Sequence, residues 1–284
     1  MPRIPIPVVG GEYNHPATPF DAQQTINCFP EAGGRQSLAP SILRRWPGLK
    51  VFATLTNGTG AVRPNGMYEA SNGRVFVIRG TEVIELDSAA VETLRGSIGT
   101  TTGSVSMTDD GTNLVIADGN DIYSMPFATN VIAVVTDPVA PSNTPQVAFV
   151  DGYIFGFDPN SVELGEFQHS DLRDPTSWST LDTYNAESSP DKLVALIVNS
   201  GEVWVFGSKS YEVWYNTGAA TGTWNRLQGA QNAIGCGASS SVAQMSNRVF
   251  WLGASKEGRA IVYMSEGYGA KEISTKPLEN WINS

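Results

Sequence analysis

His169, Ser170 and Asp171 stand side by side in this chain, and those three residue types together suggest acyl-transfer hydrolysis. The chemistry needs a serine nucleophile, a histidine base within hydrogen-bond reach, and a third group orienting that base. Adjacent residues on extended chain point to opposite sides, so the tripeptide alone cannot converge its own side chains. The only other histidine, His15, lies far upstream in a proline-rich stretch. No catalytic residue is therefore expected, and the chain reads as a non-enzyme.

Other chemistries fare no better. Ser170 to Trp178 loosely resembles the Ser-x-Asp-x-Gly-x-Thr-Trp box of sialidase-like propellers. The spacing fails, because Asp171 follows Ser170 directly and Pro175 stands near the glycine position. Asp109-Asp110-Gly111-Thr112-Asn113 and Asp118-Gly119-Asn120-Asp121 place oxygen ligands in glycine turns, as calcium prefers, but neither follows the twelve-residue calcium loop. Their expected role is to stabilise hairpin turns. Gly229 to Gly237 is rich in Gly and Ala but has no phosphate-binding lysine. No Walker loop, G-x-G-x-x-G after a strand, H-E-x-x-H or G-x-S-x-G is present. No cofactor and no metal are expected.

The stretch around the histidine, Glu166 to Asp191, is dominated by turn chemistry and reads as a loop inserted in the third of a series of repeats. Asp171 and Asp174 are expected to cap turns, Pro175 to fix φ, and Trp178 to bury against a strand layer. A loop with its own Trp is usually pinned to a core.

The repeats place that stretch. Val75-Phe76-Val77-Ile78, Leu114-Val115-Ile116-Ala117, Tyr153-Ile154-Phe155-Gly156-Phe157, Val203-Trp204-Val205-Phe206 and Val249-Phe250-Trp251-Leu252 are β-prone apolar runs. Each follows a turn rich in Asn, Asp, Gly or Ser, where tight hairpins need positive φ. A short strand precedes each turn, for example Gly66 to Ala70, Gln146 to Val150 and Leu193 to Val198. Several are followed by a third, such as Glu82 to Leu86 and Tyr211 to Tyr215. Units of about 40 to 50 residues, each a meander of three or four strands, predict an all-β, β-propeller-like fold with about five blades. Radial packing buries both faces of a blade, which accounts for strands that are apolar throughout.

The flanks differ. Seven prolines between Pro2 and Pro40 break helices and central strands, so residues 1–45 read as an extended arm with short β or PPII pieces, lying against its own domain or a neighbouring subunit. Residues 46–284 form the propeller domain, with a strand expected over Lys50 to Leu55. The end, from Ile273 to Ser284, reads as a turn or two of helix near Pro277. It is expected to be incomplete or truncated, because no closing strand follows.

Composition narrows the partners. The 284 residues carry 18 basic and 28 acidic side chains, a formal net charge of −10. Nucleic-acid affinity comes mainly from neutralised phosphates, so this is no general DNA-binding surface. An acidic wall still suits a conduit along which DNA slides. Cys28 and Cys236 have no C-x-x-C spacing and are expected to be free thiols. The N-terminus lacks the apolar core of a signal peptide, and no apolar run is long enough to span a bilayer, so synthesis in a cytoplasm is expected.

A set of short motifs then appears in order: Trp46-Pro47-Gly48-Leu49, Gly103 to Asp109, Phe149-Val150-Asp151-Gly152-Tyr153, Ser170 to Trp178, Ala186 to Asp191, Gly201 to Gly207 and Val213 to Gly218. Together, over about residues 26 to 275, they resemble the packaged-DNA stabilisation proteins of short-tailed bacteriophages, also called head-to-tail joining, tail-hub or nozzle proteins. The resemblance implies a virion structural protein of the phage tail, made in the host cytoplasm. It implies self-association into a ring, typically a hexamer, below the portal and its adaptor ring. Such a ring retains packaged DNA, passes it during ejection without sequence-specific binding, and carries a tail needle or plug and tail fibres or spikes. Members are usually considerably longer than this chain.

The alternative class is a carbohydrate-binding or glycan-degrading propeller, with Trp178, Trp214, Trp224 and Tyr268 as candidate sugar-stacking rings. Aromatic packing between blades is the competing role for the same residues.

Overall fold

The computed structural model describes residues 28–32, 41–56, 64–99, 103–220, 222–254 and 260–284. They divide into two compact units. One comprises the described residues of Met1–Phe52 with Ser274–Ser284, and the other those of Ala53–Ile273.

The first unit holds a small antiparallel hairpin, β1 (Cys28–Ala32) paired with β2 (Ser41–Arg45), and a short helix, α1 (Lys276–Ile282). Of the extended arm expected over 1–45, residues 1–27 and 33–40 lie outside the described residues. The remainder is the β1–β2 pair. Helix α1 follows Thr275 in extended conformation and has a proline in its first turn, where a missing N–H costs nothing. Glu279 is buried and accepts hydrogen bonds from Ser274 Oγ at 3.0 Å and Lys276 Nζ at 2.8 Å.

The second unit consists of five four-stranded antiparallel sheets among the described residues. Blade one is β3 (Pro64–Glu69), β4 (Val75–Arg79), β5 (Glu82–Leu86) and β6 (Glu92–Ser97). Blade two is β7 (Ser106–Asp109), β8 (Asn113–Ala117), β9 (Ile122–Pro126) and β10 (Ala133–Val134). Blade three is β11 (Ala148–Val150), β12 (Tyr153–Gly156), β13 (Glu166–Asp171) and β14 (Asp174–Asn185). Blade four is β15 (Leu193–Asn199), β16 (Glu202–Gly207), β17 (Tyr211–Asn216) and β18 (Trp224–Asn232). Blade five is β19 (Ala243–Met245), β20 (Arg248–Ala254), β21 (Ala260–Glu266) and β22 (Gly269–Glu272). Every blade is a simple meander, and the first strands of consecutive blades meet: β3 with β7, β7 with β11, β11 with β15 and β15 with β19.

Turn chemistry sets the register. The β11–β12 and β15–β16 hairpins turn through Asp151-Gly152 and Ser200-Gly201, all four with φ between 51° and 91°. Two consecutive positive φ values make the tight turn whose twist matches the flanking strands.

The apolar runs divide their side chains between two neighbours. On β8, Leu114 and Ile116 pack with Phe76 and Ile78 of blade one, while Val115 and Ala117 pack with Ile154 and Trp178 of blade three. On β16, Val203 and Val205 face Phe155 and Phe167 of blade three, while Trp204 and Phe206 face Val249 and Trp251 of blade five. Alternate residues on a strand point to opposite faces, so a strand between two blades must be apolar at every position. The core is thus a series of layers between blades.

Two expectations need correction. Lys50 to Leu55 is not a strand; residues 46–56 carry no regular structure. Ala53 and Leu55 instead pack against Val77, Ile84 and Leu86 on the face of blade one away from blade two. Alternation of apolar residues shows which side is buried, but not whether a partner strand is there to hydrogen-bond. Glu166 to Asp191 is not a loop insertion either. It is mostly β13 and β14, joined by a hairpin through Leu172 and Arg173, with Arg173 at φ 59°. Apart from buried Ser170, the Asp, Ser and Thr side chains of β13 and β14 are at least partly exposed on an outer hairpin, and the ladder has register shifts around Ser170.

Candidate functional site

His169, Ser170 and Asp171 lie on β13 and do not converge. The His169 ring is buried against Tyr153, Phe155 and Tyr184, with centroids 4.6, 5.5 and 5.6 Å away. Its Nδ1 lies 2.8 Å from the Ser170 carbonyl, a contact in which only the ring can donate. Ser170 Oγ accepts the Ile154 N–H at 3.1 Å and donates to the Asp171 carbonyl at 3.0 Å. Asp171 is exposed and takes the Ser177 hydroxyl at 2.6 Å. The three side chains serve a core, a ladder and a turn.

The turn carboxylates behave alike. Asp110 accepts from the Thr112 and Asn113 backbone N–H groups at 2.7 and 2.6 Å. Asp118 accepts from those of Asn120 and Asp121, both at 2.9 Å. Asp174 takes the Thr176 N–H at 3.0 Å. Among the described residues no three His, Cys, Asp or Glu side chains are grouped to hold a metal ion. Cys28 and Cys236 are free, and burial pushes the Cys236 thiol pKa up while its Sγ donates to the Ala238 carbonyl at 3.1 Å.

What the structure does concentrate is polar bonding between blades. Sequence reasoning missed these contacts, because each pairs residues from 24 to 93 positions apart. Asp109, at the end of β7, is buried and receives Tyr68 Oη from blade one at 2.7 Å. It also receives the Ser71 N–H at 3.0 Å, the Ser71 hydroxyl and the Gly111 N–H at 3.1 Å. Burial alone would raise its pKa, but these donors outweigh burial and hold the carboxyl below its ordinary value. Burial, reinforced by Asp109, pushes the Tyr68 hydroxyl up to about 12.

Arg74 makes a second latch. It reaches Glu85 within its own blade at 2.5 Å and Asn130 of the next at 2.5 Å, with its guanidinium about 5 Å from the Phe76 and Phe127 rings. Arg95 approaches the same Glu85 carboxylate at 2.6 Å. Arg74 is the leading cause of the lowered Glu85 pKa; burial opposes it and Arg95 adds to it.

At the first strands the bonding spans three blades. Gln146, just before β11, accepts the Leu196 N–H of blade four at 3.0 Å and donates to the Ser239 carbonyl ahead of blade five at 2.9 Å. Ser106 of blade two accepts the Val147 N–H at 3.2 Å, and the Val105 N–H meets the Asn65 carbonyl at 3.1 Å. Between blades three and four, buried Glu212 accepts the Ser188 N–H at 2.5 Å, with Arg226 at 3.5 Å. The Glu212 Oε2 is buried with no partner among the described residues.

The candidate sugar-stacking rings are placed mostly inside. Trp178, Trp214 and Trp224 are buried in the inter-blade layers. Tyr268 is half-exposed and donates its hydroxyl to Glu202 at 2.6 Å. A cleft of about 620 Å³ runs past Tyr184, Trp214, Tyr215, Asn225 and Arg226 at the outer strands of blades three and four.

Five meander blades, cored between sheets and latched across them, define a β-propeller whose polar residues mostly hold it together. The chain belongs to the phage-stabilisation family described as "Bacteriophage P22 Gp10, beta-propeller", which matches residues 4–284. None of the curated proteins compared with the chain matches it. Among solved structures, the extracellular domain of BT4673 from B. thetaiotaomicron superposes with a TM-score of 0.53 and 12% identity, over 83% of this chain and 32% of that one. A second structure of that domain gives 0.51 and 10%, over 77% of this chain and 28% of the other. This chain spans about a third of the length of those relatives, and at such identity the likeness is one of fold alone.

Proposed function

We propose that this protein is a non-enzymatic structural component of a phage tail. Copies assemble into a hub or nozzle ring, the hexamer of the family resemblance, that joins the portal and adaptor to the tail. The ring retains packaged DNA, forms the channel for its ejection, and meets a needle or plug and the fibres or spikes. The family match across residues 4–284 carries this reading. Two physical features support it. The buried polar groups lock blades to one another, as a load-transmitting scaffold requires. The formal charge of −10 disfavours adhesion of DNA to the wall. The test is to mix the full chain with portal and adaptor from the same phage and view the product by electron microscopy. Rings added below the portal are expected; a portal and adaptor left bare would overturn the proposal.

A further inference from the structure

The first unit presents an apolar surface. Ile42, Leu43, Trp46, Leu49, Val51 and Phe52 are exposed by 43 to 105%, within eleven consecutive residues. Exposed apolar side chains also occur in the propeller unit, such as Met67, Leu94 and Leu181, but among the described residues none of them belongs to so dense a run. Contiguous apolar exposure on this scale marks an interaction surface. Among the described residues the β1–β2 sheet has two strands, a structure marginally stable by itself, which adds to the need for a surface to lie on.

Charge selects the partner. Residues 42–52 carry Arg44, Arg45 and Lys50 and no acidic side chain. Met1–Phe52 with Ser274–Ser284 carry six basic and four acidic residues, whereas Ala53–Ile273 carry twelve and twenty-four. Two propeller units therefore repel one another, and two such arms set basic residues against basic. An arm against a propeller brings opposite signs together, which both steers association and excludes the like-with-like pairings.

We infer that the segment Ile42–Phe52 docks on the acidic propeller unit of a second copy of this chain, so that each copy clasps the next. A contact between unlike surfaces is head-to-tail, and head-to-tail contacts close into rings when the rotation permits. The inference rests on the ring proposed above and names the surface that would make it.

The test uses full-length chains assembled with portal and adaptor, as an equal mixture of unlabelled and nitrogen-15-labelled copies. A benzophenone amino acid replaces Leu49. Mixed-isotope cross-links from position 49 to peptides of residues 53–273 are expected. The double variant Leu49→Asp/Phe52→Asp is expected to lose rings while keeping the wild-type melting temperature of the propeller. Rings whose cross-links stay within one isotope, or run to portal or adaptor, would overturn the clasp and leave the ring intact. Rings formed undiminished by the double variant would do the same. A wild-type mixture without rings would overturn the ring reading, and the clasp with it.

Discussion

Tyr68 of the first blade donates its hydroxyl hydrogen to Asp109 of the second, across 2.7 Å and 41 residues of chain. The bond is strong because the acceptor is charged and largely withdrawn from water. Tyr68→Phe removes one of four donors to Asp109, whereas Asp109→Ala strands all four, two of them on Ser71. We expect Asp109→Ala to cost about 1–3 kcal/mol and Tyr68→Phe to cost less. Urea unfolding of each variant at neutral pH measures both, and equal losses would show that the other donors contribute nothing.

Acid should weaken the same region. Asp109 and Glu85 both have folded pKa values below their ordinary ones. The unfolded chain therefore binds protons first as pH falls, so the stability these groups add is present above about pH 4 and lost as pH drops through their folded values. Thermal melts from pH 6 to pH 3 should show a falling midpoint, and Asp109→Asn should flatten the slope. An unchanged slope in that variant would remove Asp109 from the account.

Alkali should act through tyrosine. Tyr68 and Tyr211 have folded pKa values pushed up to about 12 by burial. A raised value means that the folded state holds the proton longer. The stability is whole below about pH 10 and lost as pH climbs towards 12. Ultraviolet titration of Tyr68→Phe and of Tyr211→Phe against the parent chain should show that each substitution removes a phenol that ionises late, together with unfolding; loss of a phenol that ionises near pH 10 in the folded protein would contradict it.

Trp178 fills the layer between blades two and three. Its indole N–H reaches the Pro175 carbonyl at 3.1 Å, and its backbone N–H reaches Asp137 at 3.0 Å. Trp178→Ala should cost about 3–5 kcal/mol, as for other buried aromatics. A melting temperature unchanged by that substitution would mean the layer does not depend on the indole.

Gly201 and Gly235 separate two ways a glycine is required. Gly201 has φ 81° and open space around its missing Cβ, so Gly201→Ala should cost only the conformational penalty, about 1–2 kcal/mol. At Gly235 a Cβ would collide with the Ser208–Lys209 backbone, which cannot rotate away. Gly235→Ala should therefore destabilise more than Gly201→Ala in parallel chemical unfolding, and the reverse order would contradict the packing described.

Much of the fold was legible because its signals are local. Val203-Trp204-Val205-Phe206 is apolar on both faces, and Asp151-Gly152 tolerates the positive φ of a tight turn; both properties belong to short stretches of chain. The outer hairpin β13–β14 was not legible. Its alternation is broken by Asp, Ser and Pro, and its pairing depends on a partner strand with register shifts. The strand expected at Lys50 to Leu55 failed for the converse reason: the alternation is real, but Ala53 and Leu55 use it to pack on a blade face.

Sequence by itself determined the all-β class, the repeating meander, the acidic balance and the family resemblance, since periodicity, charge and turn residues are written residue by residue. Tertiary structure alone decided what His169, Asp109, Gln146 and Glu212 do. A polar side chain acquires its role from what it meets: the partners of Asp109 and Gln146 arrive from neighbouring blades, and those of His169 from the adjoining strands of its own blade. The same dependence on tertiary partners turned a His-Ser-Asp run that suggested hydrolysis into a core ring, a ladder hydroxyl and a turn carboxylate.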